Sequence, residues 1–408
     1  MSHAVAPDGI LSGIRVIDLA HQYSAANTAA ILADLGAEVI AIEHPEGSPI
    51  RTMLPKKDGE SMWWKICQRG KKNITLNLST PAGRDLLLRL ASDADVLVEN
   101  FRPGTLERWG LGPDDLEKAG ANLAMLRISG FGQTGPNRAL PGFGTVAEAM
   151  SGFAHMNGYP DGPPTFPSTT LADGVASVWG VVGVLAALVG RLMGRSQGVE
   201  VADVALFEGL FRIIPTQIPT YHQTGKAQRR PGNYLGDHGV LRNVYGSKDH
   251  RYLAISSVGP QAIRRILVGA GAGELVEIID GGVMNSHDTA TVEHFLGRCN
   301  EHLRVWAAAR NYDELTADLS AAGAVYAPVF SAAEIVQDAH YHARDDLPLV
   351  PDKELGPIMM QGIVPKFPRR THRITHAGQA KGSDNVTVFG GLGLSEGEIA
   401  ALREQGVI

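Results

Sequence analysis

Residues 14–43 read IRVIDLAHQYSAANTAAILADLGAEVIAIE, and this stretch decides the fold. Ile14-Arg15-Val16-Ile17-Asp18-Leu19 is a short apolar, β-branched run and predicts a strand. Apolar residues over 25–35 recur at helical spacing and stop before Gly36, which predicts a helix and its end. Residues 38–43, with Val39, Ile40 and Ile42, predict the next strand. Working outward, 74–78, 95–99 and 123–129 read as further strands. Residues 81–91 read as a helix, with Thr80 as N-cap and Pro81 in the first turn. Strands alternating with helices define the α/β class and a mainly parallel sheet covered on both faces. Such sheets bind ligands at the carboxyl ends of their strands. That rule selects the loops 21–23, 44–47, 100–103 and 129–136, all polar or rich in Gly and Pro.

The chain of 408 residues is too long for one ordinary core. Residues 224–239, rich in Gly, Arg, Gln and His, read as a linker. Residues 243–257 predict a hairpin turning at Lys248-Asp249-His250, and 260–325 a helical stretch. Three segments follow: 1–223 and 326–408 contribute to a large domain, and 224–325 forms a smaller one. A last helix is expected near 395–405. Residues 174–190 carry no charge, which is at the lower limit for crossing a bilayer. Four glycines and the lack of flanking aromatic anchors favour a buried core helix instead, so no membrane partner is expected.

Composition narrows the function. The net charge of -6 gives no broad basic face, so nucleic acid is not an expected partner. Two distant cysteines, Cys67 and Cys299, make neither a disulfide framework nor a zinc site, which fits a reducing cytoplasm. The first residues lack the charged and apolar regions of a signal peptide. The first strand-to-helix turn lacks G-x-G-x-x-G, and the chain has no Walker A loop and no G-x-S-x-G elbow. His372 and His376 stand four apart with Arg373 between them and prolines nearby, so no metal is expected.

Three segments carry the chemistry. They are Val98-Glu99-Asn100-Phe101-Arg102-Pro103-Gly104 with Arg108 after it, Ser129-Gly130-Phe131-Gly132-Gln133-Thr134-Gly135-Pro136, and Ala172-Asp173-Gly174 leading a long apolar stretch. Asp173 stands at the start of that stretch, where the helix dipole favours an ionised carboxylate. Gly174 permits close approach of a backbone or ligand. From position alone, Asp173 reads as a helix cap.

The motifs LGAEVIAIE, VENFRPGTLERWGL, ISGFGQTGP, LADGVAS, GVLAALVGR and GVEVADVALFEGL, in this order, resemble the class III coenzyme A transferases, the carnitine-dehydratase/bile-acid-inducible family. The closing GLGLSEGEIAALREQGVI also fits. The resemblance implies a Rossmann-like large domain built from both ends of the chain, a smaller α+β domain, and two chains interlocked as a homodimer. It implies that Asp173 attacks an acyl-CoA, passing through a mixed anhydride and an aspartyl-CoA thioester before CoA reaches an acceptor acid. CoA thioester is then substrate, and no tightly bound cofactor is expected. By the same resemblance Arg108 and Lys71 or Lys72 would meet CoA phosphates, Asn100 and Phe101 would line its path, and His44 would stand near the adenine. Arg102 and Gly130 join the expected binding set. Oxyanions need backbone donors, expected from the glycines at 130–135, Gly236 or Gly239.

Two departures touch acid specificity. Tyr23 stands where some relatives carry glutamine, and Gly144 where some carry an acidic residue. Two alternatives remain at this point. An α-methylacyl-CoA racemase would need a histidine after the G-Q-T-G-P segment, where Pro141-Gly142-Phe143-Gly144-Thr145 stands instead. A non-catalytic acyl-CoA-binding protein would need no carboxylate at 173. A short dicarboxylyl donor such as succinyl-CoA is the expected substrate.

Overall fold

Six strands carry the first half of the chain in a computed structural model that describes residues 9–235 and 239–408. They are β1 (Arg15–Asp18), β2 (Glu38–Glu43), β3 (Lys72–Thr75), β4 (Val96–Glu99), β5 (Ala124–Ser129) and β6 (Glu200–Ala205). They pair in the order β3-β2-β1-β4-β5-β6, and every neighbouring pair is parallel. This is the Rossmann order, in which the chain reverses direction across the sheet between β1 and β4. The strands are nearly continuous apolar runs because helices cover both faces. Val16, Ile17, Val96, Leu97 and Val98 are fully buried.

Two strand readings change. The strand expected at 74–78 is β3, which ends at Thr75 because its partner β2 ends at Glu43. The strand β6 was not read, because Glu200 and Asp203 interrupt its apolar pattern on an exposed edge. Helix α1 (Tyr23–Asp34) follows β1, and α2 (Pro81–Ala91) is capped by the Thr80 hydroxyl, which accepts the Gly83 N–H at 3.0 Å. Helices α3 (Gly144–Met150), α4 (Leu171–Leu192) and α5 (Leu206–Arg212) lie further along.

The chain's end returns to the first unit. Residues up to Phe153, Phe166–Thr224 and Ala339–Ile408 form this unit. Asp384 and Asn385 side chains accept the N–H groups of Asn73 and Thr75 at 2.8 and 2.9 Å, and the Val407 carbonyl accepts Asn77 N–H at 2.7 Å. These bonds cover β3, which would otherwise be an open sheet edge. The last helix spans Glu396–Glu404, one residue inside each expected bound, with Ser395 as its cap.

The second unit takes Ala154–Thr165 and Gly225–Asp338. The expected hairpin is present as β7 (Val240–Gly246) and β8 (Tyr252–Val258), antiparallel. Past residue 325, Tyr326–Pro328 adds a third antiparallel strand to it. Leu241, Leu253, Ile263, Leu296 and Leu315 pack beneath helices at 260–321, so the unit has its own core.

Helix α4 differs from expectation. One side packs on the sheet, α1, α3 and α5, with Ala172, Ala176, Gly180 and Val184 buried. Its other side leaves Val178, Val182, Val189 and Leu192 exposed, so it is not a helix buried all round. By length and composition alone it also passes as a membrane span, a test that core helices meet as well. The packed side rests on small residues. A Cβ on Gly180 would stand 2.8 Å from both Leu126 and Thr28, so α4 approaches α1 and β5 closely. The Ser177 hydroxyl lies 2.7 Å from the Ser24 carbonyl and 2.8 Å from that of Asp173. These contacts fix the helix end that carries Asp173.

Candidate active site

The loops after β1 and β4 meet at the switch point. Asn100 ties them together: its Oδ1 accepts His21 N–H at 3.1 Å, and its Nδ2 donates to the Gln22 carbonyl at 3.2 Å. His21 stacks on Phe101 with ring centroids 4.8 Å apart, and Phe101 meets Trp109 edge-on at 5.3 Å. Beneath this loop, Glu99 on β4 is fully buried and accepts Phe101 N–H at 2.6 Å and Arg127 Nε at 2.7 Å. Burial pushes its carboxyl up to about 7, against the pull of Arg127.

Two cavities open here. The larger, about 540 Å³, is lined by His21, Tyr23, Asn100, Phe101, Arg102, Gly130, Arg138, Gly144, Glu148 and Asp173. The smaller, about 260 Å³, is lined by His44, Ser48, Asn77, Ser79 and Trp109, and it shares His21 and Phe101 with the first. The size of the larger is that of a ligand pocket, and the shared wall suits an extended ligand.

Asp173 is the third residue of α4, and Thr170 occupies the cap position. The aspartate is therefore not the cap, and its carboxylate faces the larger cavity. Burial pushes it up to about 6; the Glu148 carboxylate adds to this, and a backbone hydrogen bond opposes it. The dipole argument alone predicted a favoured anion, and desolvation outweighs it. Tyr23 lies alongside, and burial pushes its phenol up to about 12, with Cys67 and Asp173 adding. The glycine that matters is Gly144 rather than Gly174. A Cβ at Gly144 would lie 2.1 Å from Asp173 Oδ2, whereas one at Gly174 would meet only Tyr23 Oη at 3.9 Å.

Of the expected residues, the structure brings Asp173, Asn100, Phe101, Arg102 and Gly130 to one cavity and His44 to the other. Three others stand elsewhere. Lys71 is 1% exposed, and its Nζ donates to Asp18 at 2.7 Å and to the Ala26 carbonyl at 2.8 Å. Its charge is used inside the protein, where losing one partner costs about 3–5 kcal/mol, so it cannot serve a CoA phosphate. Lys72 pairs with Glu38, away from both cavities. Arg108 is exposed, donates to Thr105 Oγ1 at 3.0 Å, and lines neither cavity. Among the expected oxyanion donors, Gly132 N–H is taken by Ser129 Oγ at 2.9 Å, and the neighbouring Gln133 N–H donates to Asp203 at 2.9 Å. Gly236 lies outside the described residues. Gly130 passes within 2.8 Å of Gly142 once a Cβ is added, so two backbones cross there.

Sequence reasoning missed Glu148, Asn77 and Ser79. Glu148 sits among apolar residues of a short helix, and nothing local in the sequence points to its contact with the start of α4. His21 was placed in a ligand loop but given no role. Its Nδ1 is buried without a partner among the described residues, and burial lowers its basicity. No metal-binding cluster of His, Cys, Asp and Glu occurs among the described residues.

A Rossmann-order sheet thus carries an extended cleft at its switch point, with the Asp173 carboxylate on the cleft wall. The comparisons fix the class: residues 11–385 match CoA-transferase family III, and the chain belongs to that family. It is 34% identical over 405 residues to the succinyl-CoA–D-citramalate CoA-transferase of Chloroflexus aurantiacus, covering 98% of this chain and 99% of the other. It is 35% identical over 407 residues to the succinyl-CoA–L-malate CoA-transferase beta subunit of the same organism, covering 98% of each. A crystal structure of a CaiB/BaiF family protein from Brucella suis superposes with a TM-score of 0.81 at 25% identity, covering 94% of this chain and 100% of that one.

Proposed function

We propose that this CoA-transferase hands CoA from one carboxylic acid to another through covalent intermediates on Asp173. The observation that carries this reading is the Asp173 carboxylate, half-buried on the wall of the larger cavity and pushed up to about 6. At neutral pH it is mostly ionised yet more basic than an exposed aspartate, which suits a nucleophile.

Four exchanges complete the cycle. An Asp173 oxygen bonds to the donor's acyl carbon, and the carbon–sulfur bond breaks, leaving a mixed anhydride and CoA thiolate. The thiolate bonds to the aspartyl carbon and expels the donor acid, forming aspartyl-CoA thioester. An acceptor carboxylate oxygen bonds to that carbon and releases thiolate again. The thiolate then takes the acceptor's acyl carbon and frees Asp173. Each intermediate is about as activated as the thioester it replaces, so no single step is steep.

For the nucleotide end, Asn77 and Ser79 beside His44 offer polar groups in the smaller cavity. The donor is a short dicarboxylyl-CoA. Arg102 and Arg138 on the larger cavity supply cations for a second carboxylate, and the two relatives above are named for succinyl-CoA. A panel of CoA esters and acids reads this directly. Donor thioester followed by hydroxylamine should convert the Asp173 peptide to its hydroxamate, seen by mass spectrometry. Turnover without that modification refutes the covalent path. Exchange of the α-proton in heavy water would instead support an isomerase.

The exposed apolar stripe of α4, Val178, Val182 and Val189, fits contact with a second copy of the chain. Sedimentation should therefore show a dimer at micromolar concentration; a monomer there rules out the paired assembly.

A further inference from the structure

One group on the pocket wall is used by no step above. Glu148 is 3% exposed and makes no ion pair with an arginine or lysine among the described residues. It stands four residues after Gly144 in α3, so the two share one helix face. That face meets the start of α4 at two points. Gly144 leaves the room that Asp173 Oδ2 occupies, and Glu148 Oε1 accepts the Ala172 N–H at 3.3 Å. A second carboxylate is thereby held beside the first by the main chain of the residue next to it.

Resting on the covalent reading above, we infer that Glu148 is a positioning residue whose carboxylate, held in place by the Ala172 N–H, strengthens Asp173 as a nucleophile. Holding α4 in place needs only an acceptor, which a glutamine would supply equally. The negative charge adds something different: like charges resist joint ionisation, so the Asp173 lone pairs bind a proton or an acyl carbon more strongly. Burial is the larger cause of the high Asp173 value, and Glu148 is the second. The other groups facing Asp173 do not replace it. Tyr23 from α1 is neutral, and burial keeps His21 uncharged at neutral pH. Arg102 and Arg138 are exposed and act in the opposite sense, while α5 and β5 contribute the uncharged Leu206, Ile128 and Ser129.

The test follows Asp173 modification by donor CoA thioester, trapped with hydroxylamine, across pH in the intact protein. The wild-type rate should fall below a midpoint near pH 6, the value to which Asp173 is pushed. In Glu148→Gln the midpoint moves to lower pH, and the plateau rate drops by roughly two- to fivefold as the carboxylate becomes less basic. Glu148→Asp, which draws the charge back by one methylene, should lie between the two. Should the glutamine variant not fold, the aspartate variant decides in its place. A midpoint that stays in place with Asp173 still modified overturns the role of Glu148 alone. An unmodified Asp173 peptide in the wild type overturns the covalent reading and this inference together.

Discussion

Replacing Asp173 by asparagine is expected to lower turnover by roughly a thousandfold or more, because it removes the carboxylate on which the proposed acyl and CoA intermediates form. The same change should make the protein more stable at pH 8. The folded carboxyl is raised from 3.8 to about 6, so the fold prefers its protonated form. Its stabilising contribution is fully present below pH 3.8 and lost as pH rises through 6. Above that, the ionised group costs about 1–3 kcal/mol, and asparagine removes the cost. Denaturant titrations of both proteins at pH 8 and pH 4 should show a gap in the first and little in the second. An asparagine variant no more stable than wild type at pH 8 would contradict the burial argument, whatever its activity.

Gly144→Ala should separate stability from activity in a different way. The added methyl would overlap Asp173 Oδ2, the free end of a side chain that can turn aside. Gly144 is the first residue of α3 and needs no left-handed backbone, so alanine is accepted there and can gain about 0.4–1 kcal/mol. The Asp173 carboxylate, however, leaves its place. A displacement of about 1 Å costs on the order of a hundredfold in rate. The expected variant is folded, no less stable, and about a hundredfold slower in kcat. An undiminished kcat would show that Asp173 reacts from another rotamer.

Much of the large domain was legible because its signals are local. The alternation in 14–43, the stop at Gly36 and the Thr80-Pro81 start each depend on neighbours in sequence. The hairpin around Lys248-Asp249-His250 was equally readable. What escaped depends on partners far away. Lys71 sits in a basic run that resembles a phosphate loop, and only Asp18, 53 positions earlier, shows that its charge is taken. Glu148 gains meaning from Ala172, 24 positions later. Gly144 looked like a missing acid, and the structure shows it as space that the Asp173 carboxylate fills. The family motifs singled out Asp173 in the sequence, whereas the raised basicity of its carboxyl could not be read there, because burial has no spelling in one dimension.

The bonds from Asp384, Asn385 and Val407 to β3 bear on how the polypeptide is made. Translation delivers the six parallel strands within the first 205 residues, yet the outer flank of the sheet stays bare until residue 384 and beyond emerge. The second unit, complete by residue 338, is available earlier. A nascent chain thus carries an unsealed flank through almost half of its synthesis, the period in which unpaired strands are most exposed to wrong partners. Loss of residues 384–408 would make that transient condition permanent.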